Sequence, residues 1–152
     1  MPYTTADGRR QLLDAVAEAA DELAAALAAL TEAYEQLDDA SAERLERELF
    51  GAVQSAYARA RRTLSEFARR HELEQRAFEP AVRGAPGRGV KAFIDDAVDD
   101  VRRADSTLGT LQDSMLPVEV GDAELRAGLA QVRELIAGVA SRAHDFERTL
   151  GR

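Results

Sequence analysis

An all-α fold, an antiparallel up-down-up-down four-helix bundle with heptad-like core seams, is predicted by three observations on this chain. Leu13, Val16, Ala20, Leu23, Leu27, Leu30, Tyr34 and Leu37 follow one another at alternating steps of three and four residues, which is one apolar seam on one helix. The alternation returns at Val90, Ile94, Ala97, Val101, Ala104, Leu108, Leu111 and Met115, and again at Leu125, Leu129, Val132, Ile136, Val139, Ala143, Phe146 and Leu150. Short breaks join the helices at their ends, so sequential neighbours are expected to run in opposite directions.

The first helix is predicted over about 7–38, through a stretch rich in alanine, the best helix former, with Asp14, Glu18, Asp21 and Glu22 early in its course. Asp38-Asp39-Ala40-Ser41 breaks the pattern, and Ser41 is expected to cap a second helix over about 42–78. That helix carries Leu45, Leu49, Phe50, Val53, Tyr57, Ala60, Leu64 and Phe67, a wider stripe that drifts before settling into heptad order. Pro80 cannot continue it. Residues 79–88 hold Pro80, Pro86, Gly84 and Gly87 and read as a surface loop. A third helix over about 89–115 stops before Pro117 and Gly121, and Asp122 caps a fourth over about 122–150. One helical-bundle domain is expected over residues 1–152.

Some two dozen large aliphatic side chains, each contributing about 1.5–3 kcal/mol when buried, suffice to order such a domain without a cofactor. The 20 basic and 28 acidic residues leave a net charge of -8, a field that repels phosphate backbones and anionic lipid. Nucleic acid and membrane are therefore not expected partners. With no cysteine there are no disulfides, thiolate nucleophiles or sulfur-ligated metals. Leu23–Leu30, the most apolar run, is eight residues between Glu22 and Glu32, too short for a signal core or a membrane span, and a cytoplasmic location is expected.

Carboxylate-bridged metal sites in bundles need a Glu-x-x-His pair on facing helices. Ala68 stands three residues before His71 and Ser141 three before His144, so that spacing is missing. Asp95, Asp96, Asp99 and Asp100 could chelate magnesium for hydrolysis, with Glu43 and Glu46 as a second acidic step. If Ile94, Ala97 and Val101 face the core, however, Asp95, Asp96 and Asp99 point outward and only Asp100 stands at the shoulder. The segment from Arg83 to Lys91 resembles a phosphate loop in composition, because its glycines precede a helix start flanked by Arg83, Arg88 and Lys91. These three cations are a candidate anion-binding site, although no Ser or Thr follows Lys91 and no strand precedes the loop.

Arg62, Arg69 and Arg76 recur every seven residues with Arg59 and Arg70 beside them, while the first helix lacks any cation from Gln11 to Asp39. The two faces either screen each other within one bundle or meet between copies. Ala17, Ala19, Ala24, Ala26 and Ala33 widen the apolar face of the first helix, which suits close helix approach. Ala20, Ala60, Ala97, Ala104 and Ala143, with Gly109, Gly128 and Gly138, would leave room for a small apolar ligand if they shared layers. His71 stands in step with Leu64 and Phe67 and is expected, with His144, at one bundle end. The functional expectation is a non-enzymatic interaction or scaffold module that associates with itself as a homodimer or with another protein. A carrier of an apolar ligand is the alternative, and a metal-dependent hydrolase built on the aspartates is a third.

Overall fold

A computed structural model describes residues 4–79, 81 and 87–150; among them there is no strand and the regular elements are helices. None of these helices is long and apolar enough to cross a membrane.

Helix α1 spans Thr5–Glu35, and at 31 residues it is roughly 46 Å long. It begins earlier than its acidic run suggests because Thr4 is the cap, its hydroxyl accepting from the Asp7 amide at 3.0 Å. Leu12, Val16, Leu23 and Leu30 are buried, and so are Ala17, Ala19, Ala20, Ala24, Ala26, Ala29 and Ala33. The buried column is thus rotated from the predicted seam, since Leu13 and Leu27 are half-buried and Tyr34 is 41% exposed. A straight helix drifts about 20° per heptad from a strict seven-residue repeat, and the alanines let neighbours approach on a wider front than a two-column seam.

The second rod is three pieces: α2 (Asp39–Leu45), a π turn (Glu46–Phe50) and α3 (Gly51–Arg70). Its cap is Asp38 and not Ser41, because the Ser41 amide is the donor that Asp38 Oδ1 accepts at 2.8 Å. The π turn inserts one residue, which keeps Leu45, Leu49 and Val53 all buried across two successive four-residue steps and turns Phe50 aside.

The helix predicted to reach residue 78 ends at Arg70. Glu72 adopts a left-handed conformation at φ 54°, the Leu73 amide donates to the Ala68 carbonyl at 2.7 Å and the Glu72 amide to the Arg69 carbonyl at 3.3 Å. This closure satisfies the last carbonyls and throws Leu73 back onto the core. A non-helical strap, 71–79, then returns along α3: Gln75 Nε2 donates to the Ser65 carbonyl at 3.2 Å, Arg76 pairs with Asp14 of α1 at 2.9 Å, and the Arg61 guanidinium lies 5.1 Å from the Phe78 ring centre. The predicted loop residues Pro80, Arg83, Gly84 and Pro86 lie outside the described residues.

Helix α4 spans Val90–Asp113 and buries Phe93, Ile94, Ala97, Val101, Ala104, Leu108 and Leu111, whereas Met115, predicted to end its seam, is 59% exposed. The corner contains a four-residue helix, α5 (Leu116–Glu119), with Pro117 in its first turn. Gly121 is required there: a Cβ would stand 2.4 Å from the Pro117 carbonyl oxygen. The last predicted helix is two, α6 (Ala123–Ile136) and α7 (Val139–Leu150), divided at Ala137 and Gly138. Their shared seam, Leu125 to Phe146, is buried throughout.

Helix α1 packs against α4 and α3, α3 against α6, and α4 against α6 and α7. The buried side chains of all these helices form one apolar cluster.

Candidate functional site

The start of α4 holds the cations expected to bind an anion. Arg83 is outside the described residues; Arg88 pairs with Asp96 and lies 5.5 Å from the Phe93 ring centre, and Lys91 Nζ meets Asp95 Oδ2 at 2.8 Å. Both described cations are thus already engaged by carboxylates of α4. The Arg88 carbonyl in turn accepts from Gln36 Nε2 at 2.9 Å.

Asp95 and Asp99 face outward, Asp96 is half-buried, and Asp100 lies at the shoulder with its side chain 14% exposed, beside Arg103. Burial raises the Asp100 pKa above the usual carboxylate value. Glu43 and Glu46 are exposed. Among the described residues no three acidic or histidine side chains converge to hold a metal ion.

Asp95 does have one carboxylate partner, which lies on α7 and escaped the sequence reading. Glu147 is raised to about 7 by burial and then by the hydrogen bond it shares with Asp95, while that same bond and Lys91 lower Asp95. Glu147 Oε1 is buried with no hydrogen-bond partner. Its position immediately after the seam residue Phe146 is the signal that could have found it, because such a shoulder residue is drawn under its neighbours.

His71 has a structural partner. Its Nε2 lies 2.9 Å from Asp122 Oδ2, its ring packs 4.5 Å from Phe67, and Arg70 donates twice to the same carboxylate at 2.8 and 2.9 Å. Asp122 also caps α6, accepting from the Leu125 amide at 2.8 Å. Burial opposes its charge, but the bonds from Arg70, Leu125 and His71 outweigh burial and hold Asp122 well below the usual carboxylate range. His144 is exposed on α7, whose neighbours Arg142 and Thr149 bond to Glu48 and Arg44, so the two histidines do not share an end.

The five arginines of the predicted ridge separate. Arg59 donates to Gln131 at 2.5 Å, Arg70 clasps Asp122 and Arg76 leaves the helix for Asp14, whereas Arg62 and Arg69 are exposed and no described side chain pairs with either. Screening within the chain therefore accounts for part of the ridge only.

Ala20, Ala60, Ala97, Ala104 and Ala143 all belong to the packed core. Two of the three glycines grouped with them are closed by protein: a Cβ on Gly128 would meet Thr63 Oγ1 at 2.3 Å, and one on Gly138 would meet Arg142 Nη1 at 2.4 Å, whereas one on Gly109 would meet Arg133 at 3.4 Å. Clefts of about 230–520 Å³ open instead on the surface, several of them along the groove between α1 and α2–α3. Leu27, Tyr57, Arg61 and Phe78 line one stretch of it, and Thr31, Tyr34, Glu46 and Phe50 the next. Comparison with known protein families, curated proteins and solved structures finds no match to this chain.

Proposed function

We propose that this chain is a non-enzymatic interaction module, a bundle of four helical rods in up-down-down-up order that associates with a second copy through its outer charged faces. Cross-helix bonds support this order in place of the expected up-down-up-down one, because the first and third rods, and the second and fourth, run antiparallel where that course would make each pair parallel. Arg9, Glu22 and Gln36 of the first rod and its end meet Val120, Thr107 and Arg88, so one position rises as the other falls. Arg44, Arg59 and Arg70 meet Thr149, Gln131 and Asp122 in the same reversed order.

The observation that carries the association is charge segregation. Glu18 and Asp21 are exposed on α1 and Arg62 and Arg69 on α3, and no described side chain pairs with any of them. Two such copies related by a two-fold axis would satisfy both faces at once, which a closed, isologous contact allows.

Sedimentation velocity at tens of micromolar tests this at about 50 mM and about 500 mM salt, because the screening length shrinks several-fold over that range. A dimer at low salt that dissociates at high salt and with Arg62→Glu/Arg69→Glu is expected. A monomer under every condition overturns self-association.

A further inference from the structure

The bundle core leaves a second apolar stripe only half used. Leu13, Leu27 and Tyr34 on α1 stand at multiples of seven residues, and so do Phe50 and Tyr57 across the groove; all but Tyr34 are half-buried, and Tyr34 is 41% exposed. The π turn matters here, since it rotates Phe50 out of the core column that Leu45 and Leu49 occupy. Two facing columns at heptad spacing are matched by the knobs of a helix, whose period is the same. An extended chain, with its period of two, cannot match them over any length.

What lies there now is a non-helical segment. The strap anchors itself with Leu73, Phe78, the Arg76–Asp14 pair and the Gln75 bond, and among the described residues no backbone–backbone hydrogen bond joins 74–79 to another residue. It leaves clefts of about 520, 390 and 410 Å³ along its course and about 230 Å³ beyond, between Tyr34 and Phe50. Its contact with Asp14 shows what the α1 rim accepts, a cation from the occupant. Asp21, one heptad farther along the same rim, lines the cleft and no described side chain pairs with it.

We propose that the groove between α1 and α2–α3 docks one amphipathic helix of another protein, and that the strap 71–79 is the occupant in cis that this helix displaces. The entering helix carries an apolar stripe for the Leu27–Tyr57 and Tyr34–Phe50 positions and cations seven residues apart for Asp14 and Asp21. This specifies a surface for the interaction module proposed above and rests on that reading.

The probe is a synthetic peptide of about three heptads, with leucine at a and d and lysines seven residues apart along one flank, titrated calorimetrically into the full chain beside a scrambled peptide of equal composition. The patterned peptide is expected to bind at least about tenfold more tightly than the scrambled one. Phe78→Ala, which loosens the strap while leaving every helical residue unchanged, should tighten binding about three- to tenfold, because the competent state becomes more populated. Tyr34→Glu, at a site already open to water, should weaken it about tenfold with unchanged helicity, and Asp21→Lys about threefold. Equal binding of the two peptides, or affinities unmoved by Phe78→Ala and Tyr34→Glu, overturns the proposal. Sedimentation of the same samples separates the two ideas: a salt-sensitive dimer with no peptide binding removes the groove alone, and peptide binding by a strict monomer removes self-association alone.

Discussion

At Gly128 the distance between two helices is decided by one missing carbon. The residue lets α6 approach until Thr63 Oγ1 fills the place of a side chain, and Thr63, 3% exposed, leaves that hydroxyl without a partner. Gly128→Ala should therefore cost about 1–3 kcal/mol by overpacking, measured as a lowered urea midpoint. Thr63→Ala in the same background should recover part of the loss, since the two sites are in contact and their effects do not add. The sequence made Gly128 visible as a small residue inside a helix whose gap dense packing is expected to close, but the β-branched side chain that closes it lies on another element and could not be named. Asp122 shows the same division. Its capping role follows from its place before an apolar run, whereas Arg70 and His71, 52 and 51 residues away, join it only in the folded chain.

Between elements, the α4–α7 contact is the one whose strength depends on acidity near neutrality. Glu147 is raised from 4.5 to about 7, first by burial and then by the bond with Asp95, so the folded state holds its proton more tightly than the unfolded one. The stabilisation is fully present below pH 4.5 and is lost as pH rises to about 7. Urea midpoints should fall across that window, and Glu147→Gln, whose amide donates to Asp95 without titrating, should flatten this part of the slope. If the wild-type and Gln slopes coincide, the shared proton is not what ties α7 to α4. Element boundaries were legible where a local signal was unique, as at Asp122, and not where two signals competed. Asp38 prevailed over Ser41 because the amide three residues past a cap needs an acceptor, and Ser41 supplies that amide. The end of α3 hid for a related reason: the closure uses Glu72 where glycine is the usual occupant, so no glycine marks it.

On the scale of the whole chain, α1 is the common wall, packing against both α3 and α4. Leu23→Ala, a truncation at a site with no exposure on that wall, should cost about 2–5 kcal/mol and shift one thermal transition without dividing it. A biphasic melt would mean that the two halves of the cluster unfold apart. The sequence by itself determined that the chain is all-α, because apolar periodicity acts over neighbouring residues. It could not determine which column of a broad apolar face turns inward. That choice depends on how closely α3 and α4 approach α1, a distance decided by Gly128, the alanines and the π turn acting together. Only the tertiary structure therefore separated Leu12 and Leu30, sealed in the core, from Leu27 and Tyr34, which look onto the groove. Burial is settled by the neighbours an element meets, and no spacing along one helix records them.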